Sequence, residues 1–367
     1  MKKFFCTIAL CLLAISSYAQ ETEVKDTLHY TDALNFPVMG QVTREGLEDP
    51  YDRLPAYLKD SIRKDLWGLG KNSAGVYVRF RTDSKRISLR WTVLNNTWMN
   101  HMTPTGIKGL DLYCLEGDKW VFVGSGRPGY SKGTFTSRII DNMDGSMREY
   151  MLYASLYDCT TKIEIGTYSR SRLEAPQVNL PVREKPVVVY GTSITQGGCA
   201  NRPGMAYTSI LSRWMQREFI NLGFSGNGRL DYEIARLMAR ADASLFIMDN
   251  MANCSTAQLD RLKPFIAILR ASHPTTPIIL CGNAHYTYRR LNTETESSVS
   301  EKDARLVELY KEIRKNDKNV YYMDADPFIG YDEEATVDGT HFTDLGFIRM
   351  AEYLYPTVNK LVKKSTK

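Results

Sequence analysis

The stretch Val187-Val188-Val189-Tyr190-Gly191-Thr192-Ser193-Ile194-Thr195-Gln196-Gly197 constrains the fold more than any other part of the chain. Residues 187–190 are apolar at every position, so a strand formed from them has no solvent face and must be covered on both sides, as in a parallel sheet layered with helices. The run stops at Gly191, and Ser193 follows in a polar, glycine-flanked turn before a helical pattern begins near Met205. A serine on a strand-to-helix turn falls at the carboxyl edge of such a sheet, where α/β proteins keep their binding crevices.

The period of the sequence changes just before this stretch. From residue 66 to about 178 it is β: Val76, Val78 and Phe80 alternate with polar partners, as do Ile87, Leu89, Trp91 and Val93. Further short runs at 110–115, 120–123, 150–157 and 162–168, separated by turns and without a strong helix, predict a β-sandwich over residues 20–178. Within it, Gly109-Leu110-Asp111-Leu112-Tyr113 forms a compact G-x-D-L-Y string. Residues 174–186 carry Pro176, Pro181 and Pro186 and no periodicity, which puts a linker at 179–186. Residues 187–367 then alternate. Strands are expected at 187–190, 219–222, 244–248, 278–281 and 320–323, and helices near 205–217, 231–240, 256–271, 301–315 and 345–361. Five such units predict a doubly wound, mainly parallel α/β sheet.

The first residues look like a targeting segment. Lys2 and Lys3 precede an apolar run from Phe4 to Ile15 and a small-residue pattern at 17–19, so residues 1–19 are expected to be a signal peptide and the protein to be exported. That run is shorter than the roughly 20 apolar residues a membrane helix needs, so no stable membrane insertion is expected after its removal. Its loss would lower the net charge from +5 to +3, and no basic run is interleaved with aromatics, which argues against nucleic acid as a partner. Two of the seven cysteines leave with the signal. Among the remaining five, Cys114 with Cys159 and Cys199 with Cys254 are pairs to test in an oxidising compartment, against the alternative of buried small hydrophobes. The five histidines show no zinc-ligand spacing, and neither metal nor cofactor is expected.

Each strand end of the second half leads to a residue of catalytic type. Ser193 follows the first strand, Gly226 (in Asn221–Asn227) the second and Asn253 the third, while Asp338-Gly339-Thr340-His341 precedes the last helix. Singly, each has a plain structural reading, Asn253 as a helix cap for instance. Together they bring a nucleophile, a backbone donor, an amide donor and an acid–base pair to one sheet edge.

In that order the blocks resemble those of the SGNH (GDSL) hydrolases. Gly191–Gly197 is similar to the first block, usually G-D-S-L-T-x-G, and Gly226, Asn253 and the Asp338–His341 D-x-x-H follow in sequence. Thr192 stands for the usual aspartate and Ile194 for leucine. Ala252-Asn253-Cys254 replaces G-N-D, and Phe342 occupies a place where proline is frequent. The G-x-D-L-Y string is similar to the β-sandwich that precedes one branch of these hydrolases. The resemblance implies a flavodoxin-like α/β domain after a jelly-roll-like sandwich. It also implies a Ser193–His341–Asp338 triad and an oxyanion hole made of the Ser193 and Gly226 N–H groups and the Asn253 amide. No G-x-S-x-G surrounds Ser193, so the α/β-hydrolase elbow is not the pattern.

The reading is then of a secreted serine esterase that removes short acyl groups, acetyl foremost, from carbohydrate, its partner being a small-molecule or glycan ester substrate. Alternatives are a lipid or thioester acylhydrolase and a non-catalytic glycan-binding protein. The polar connection after residue 285, with Tyr286, Tyr288, Arg289 and Arg290, is either a solvated loop or a wall of the substrate site, with Tyr286, Arg289 and Arg290 as its candidate contacts. Trp98, Met99, Asn100 and His101, just before the G-x-D-L-Y string, are sandwich loop residues placed where they could reach across the boundary.

Overall fold

The structure is a computed structural model and describes residues 26–284 and 286–365. The expected signal segment lies outside these residues. Among the described residues, no helix is long and apolar enough to cross a membrane.

The N-terminal half contains strands β1 (Leu28–Asp32), β2 (Val38–Met39), β3 (Tyr77–Thr82), β4 (Ile87–Val93), β5 (Leu110–Glu116), β6 (Lys119–Gly126), β7 (Gly133–Ile140), β8 (Arg148–Tyr153), β9 (Thr160–Tyr168) and β10 (Leu173–Glu174). They form two antiparallel sheets, ordered β1-β9-β4-β7 and β10-β3-β8-β5-β6, with β2 added on β3. The period-2 patterns decide which side chains meet between them: Val78 and Phe80, Leu89 and Trp91, Leu110 and Leu112, Leu152, Ile163 and Ile165 share one buried cluster. The second sheet is covered on its other face as well, where Tyr77, Tyr113, Trp120, Met151 and Tyr153 form a separate cluster. This half also holds two short helices that the β pattern does not announce, α1 (Lys64–Gly70) and α2 (Pro104–Lys108). Both have too few turns to show a 3.6-residue stripe.

The C-terminal half has strands β11 (Val182–Gly191), β12 (Arg217–Gly223), β13 (Leu245–Asp249), β14 (Ile278–Cys281) and β15 (Val320–Met323), and helices α3 (Ser193–Gln196), α4 (Tyr207–Met215), α5 (Tyr232–Met238), α6 (Leu262–Ser272), α7 (Thr293–Asn316) and α8 (Asp344–Ser365). The five strands run in the order β12-β11-β13-β14-β15 and every pair is parallel, as the expectation of a doubly wound sheet requires. Val187 and Val189 face one helical layer, which includes Phe347, Met350, Leu354 and Val358 of α8; Val188 and Tyr190 face the other, with Phe265 and Leu269 of α6.

Two expectations need correction, and the open choice for the cysteines is decided. The segment at 179–186 is not all connector: β11 begins at Val182, pairs there with Arg217, and recovers register at Val187 after an irregularity. The connection after residue 285 is short, because α7 starts at Thr293, capped by Asn292 Oδ1 accepting from Thr295 N–H (2.9 Å). Neither cysteine pair forms a disulfide; Cys114, Cys159, Cys199, Cys254 and Cys281 are all buried free thiols, packed as small hydrophobes.

Packing also ignores the change of sequence period. Leu54, Leu58 and Leu66, from the segment before β3, share a cluster with Val188, Tyr190 and Ile220 of the parallel sheet. Arg53 is fully buried and donates to the carbonyls of Asn221 (3.2 Å), Gly223 (2.6 Å), Leu69 (2.7 Å) and Asn72 (2.7 Å), so the guanidinium closes the end of β12.

Candidate active site

The site is built at the carboxyl end of β11. Gly191 has no room for a side chain: a Cβ there would lie 2.0 Å from Thr195 Oγ1 and 2.7 Å from the Asp249 carbonyl oxygen. This close approach lets the chain turn at once into α3, whose first residue is Ser193. Thr192 caps the helix, its Oγ1 accepting from Ile194 N–H (3.3 Å), so the threonine does here what an aspartate cap could do. As the first helical residue, Ser193 has an N–H with no intrahelical acceptor. One turn on, Thr195 Oγ1 donates to Asp249 Oδ2 (2.7 Å), which also accepts from Tyr207 OH (3.2 Å). Burial of Asp249 pushes its carboxyl up to about 6, and both hydroxyl bonds work against that rise.

The loop before α8 brings the other half. His341 Nε2 lies 3.0 Å from Ser193 Oγ, and Nδ1 lies 2.7 Å from Asp338 Oδ2. The other carboxylate oxygen, Oδ1, accepts from the backbone N–H groups of His341 (2.8 Å) and Thr340 (3.0 Å). Burial pushes the Asp338 carboxyl up, but these bonds outweigh it and hold the group below the usual carboxylate range. Phe342 anchors the loop. It is fully buried against Phe347, and its carbonyl accepts from Cys199 N–H (3.1 Å), tying this loop to the one after α3.

Two further loops complete the edge. Gly226 has φ +66°, in the left-handed region where glycine is at ease, within the turn that follows β12. After β13, Asn253 does not cap α6. Its Oδ1 accepts from Gly228 N–H (3.1 Å), while Asn250 Nδ2 donates to the Gly228 carbonyl (3.1 Å). Fixing Oδ1 on Gly228 N–H orients the Asn253 amide, whose NH2 is its donor end. The turn is gripped from the N-terminal half by Arg63, which reaches Asn227 O (3.0 Å) and Asp231 Oδ2 (2.9 Å).

The sandwich holds the remaining loop through the G-x-D-L-Y string. Asp111 Oδ2 accepts from Arg202 Nη1 (2.8 Å) and Gly204 N–H (2.9 Å), and Tyr113 OH accepts from the same guanidinium. His101 does cross the boundary: its ring centroid is 5.5 Å from that of His341. Its place just before the G-x-D-L-Y string suggests such a crossing, but nothing in the sequence names His341 as the neighbour.

The proposed contacts after residue 285 are placed differently from expectation. Tyr286 is buried and stacked on Tyr288 (6.1 Å). Arg289 spends its guanidinium on Glu296 and, with Arg290, lines a separate cleft of about 440 Å³ that includes none of Ser193, His341 or Asp338. What reaches the site loop is their neighbours: Thr287 N–H donates to Gly339 O (3.1 Å), and Tyr288 OH lies 3.3 Å from Thr340 Oγ1.

Chemically, this arrangement can take a proton from a serine hydroxyl and hold the resulting imidazolium against a carboxylate. Residues 184–359 match the family described as GDSL-like lipase/acylhydrolase, and residues 28–173 match the N-terminus of SGNH-hydrolase-type esterases. Among solved structures, a protein described as a GDSL-like lipase from Bacteroides ovatus is 36% identical, with 92% of this chain and 98% of that one covered and a TM-score of 0.87. The fold is shared with the salicylyl-acyltransferase SsfX3 of a tetracycline biosynthetic pathway (19% identity, 89% and 94% covered, TM-score 0.68). It is also shared with a family two carbohydrate esterase from Cellvibrio japonicus (15% identity, 93% and 100% covered, TM-score 0.59). No functionally curated protein matches the chain.

Proposed function

From the premise that this chain belongs to the GDSL-like lipase/acylhydrolase family of ester hydrolases, carrying the N-terminal domain of SGNH-type esterases, we propose that it is an exported serine esterase that removes short acyl groups, acetyl foremost, from carbohydrate. The observation that carries the chemistry is the Asp338–His341–Ser193 line of hydrogen bonds, 2.7 Å and 3.0 Å long.

Ser193 Oγ attacks the ester carbonyl as its proton passes to His341 Nε2, and the carbonyl π pair moves onto oxygen. The Ser193 and Gly226 N–H groups and the Asn253 NH2 hold that oxyanion. Asp338 keeps the Nδ1–H tautomer and stabilises the imidazolium. Collapse breaks the C–O bond, His341 returns the proton to the leaving alkoxide, and water repeats the sequence on the acyl-serine. The carbohydrate part is supported by the two-part architecture shared with family two carbohydrate esterases, and export by the basic-then-apolar start of the sequence.

The test is hydrolysis of 4-nitrophenyl esters from acetate to octanoate by the protein and its Ser193→Ala variant. Acetate-selective turnover that the variant lacks supports the reading, and acetylated glycans are then the substrates to screen. Equal turnover by both proteins refutes it, and rates that climb to octanoate point to lipid esters instead.

A further inference from the structure

Three ligand-type side chains converge beside His341 from segments far apart in sequence, which is why no histidine or cysteine spacing announces them. His101 comes from the loop before α2, Cys199 from the loop after α3, and His341 from the loop before α8. One ligand atom of each lies within 4.8 Å of those of the other two. Both imidazoles are prepared alike. His101 Nδ1 lies 2.9 Å from Asn100 Oδ1 and His341 Nδ1 lies 2.7 Å from Asp338 Oδ2, so both Nδ1 atoms carry the proton and both Nε2 atoms a lone pair. That is the tautomer, and the kind of outer hydrogen bond, that metal-bound histidines use. Cys199 is a buried free thiol. The other such cluster among the described residues, Asp49, Asp52 and Cys159, already holds an ammonium, with Lys71 Nζ 2.8 Å from Asp49 Oδ2.

We propose that His101 Nε2, His341 Nε2 and Cys199 Sγ bind a borderline-soft divalent cation of the Zn²⁺ type, with water as fourth ligand, and that this ion switches the esterase off. Mixed imidazole and thiolate ligands in a four-coordinate site suit zinc over magnesium or calcium. Binding releases all but one of the hydrated ion's waters as the three protein ligands take their place, and the Cys199 S–H bond breaks as its proton goes to solvent. The His341 Nε2 lone pair passes to the metal in place of the Ser193 O–H, and no electron is transferred. The loss of turnover rests on the role proposed for His341; the binding does not.

The experiment uses the whole protein, kept reduced with a phosphine. Titration with Co²⁺ should give a thiolate-to-cobalt charge-transfer band that Zn²⁺ abolishes and Cys199→Ser lacks. His101→Gln, which keeps the thiol, should weaken the titration by at least about tenfold. In the ester assay, Zn²⁺ should inhibit the wild type reversibly to chelator. Cys199→Ser and His101→Gln should turn over normally without metal and need at least about tenfold more Zn²⁺ for inhibition. The absence of a thiolate band, or its persistence in Cys199→Ser, overturns the site. A band with turnover untouched by Zn²⁺ overturns the switch. A protein inactive on every ester still gives a decisive cobalt titration, so failure of the esterase reading is told apart.

Discussion

Asp111, on strand β5 of the sandwich, and Arg202, in the loop after the Ser193 helix, form a 2.8 Å ion pair in which the carboxylate is fully buried. The pair joins the two halves of the molecule beside the site, since the same carboxylate holds Gly204 N–H and the same loop is bonded to Phe342 next to His341. Asp111→Asn leaves the guanidinium without its counter-charge. We expect a loss of about 3 kcal/mol in urea unfolding, at the low end for a broken buried pair because Arg202 keeps some exposure. Arg202→Met should recover part of that loss in the double variant. An unchanged midpoint in Asp111→Asn removes the pair from the account of how the halves are held.

Asn253 is expected to act in the transition state. With its Oδ1 fixed by Gly228 N–H, only the NH2 is free to meet a new negative charge. Asn253→Ala should lower kcat by about 10²–10³ with little change in KM. A change confined to KM would make it a ground-state contact.

Asp338 keeps His341 in one tautomer through its Oδ2 and holds its own loop through Oδ1. Asp338→Asn retains the shape but offers an N–H donor to Nδ1, which favours the wrong tautomer. The expected fall in kcat is about 10⁴, with near-native circular dichroism and melting. A drop below tenfold would mean that the carboxylate is not the orienting group.

Glu218 gives a pH signature of the boundary between the halves. It is buried in β12 and its Oε1 accepts from Gly40 N–H (2.6 Å), yet burial pushes its carboxyl from an ordinary 4.5 up to about 7. Its folded form holds a proton that the unfolded chain has lost between those values. Stability from this group is therefore present below pH 4.5 and declines as pH rises to about 7, by up to about 3 kcal/mol. Glu218→Gln should flatten that decline, measured as unfolding midpoints at pH 5 and pH 8. Parallel slopes in the two proteins would assign the pH dependence elsewhere.

Much of the C-terminal half is legible because its signals are local. A run such as Val187–Tyr190 can be satisfied only between two helical layers, and a serine after Gly191 can only turn at the sheet edge. The stripe Phe347, Met350, Leu354 and Val358 likewise reads as helix without any neighbour. The blocks at Ser193, Gly226, Asn253 and Asp338–His341 could thus be assigned to one edge from their order alone. The loop after residue 285 was less legible. Its polar, arginine-rich composition suggested substrate contacts, but Glu296, one helical turn into α7, takes up Arg289, and no local pattern foretells that pairing.

What the sequence determined by itself, then, is the alternation of elements, the single parallel sheet and the residue types gathered at its carboxyl edge, because each depends on neighbours within a few positions. Only the tertiary structure decided that the two halves share cores and that Arg53, Arg63 and Asp111 hold the site loops from the N-terminal side. It alone decided that the five cysteines among the described residues stay unpaired and that His101 and Cys199 meet beside His341. Those outcomes depend on contacts between residues tens to hundreds of positions apart, and such contacts are fixed by how sheets and loops pack, not by any period along the chain.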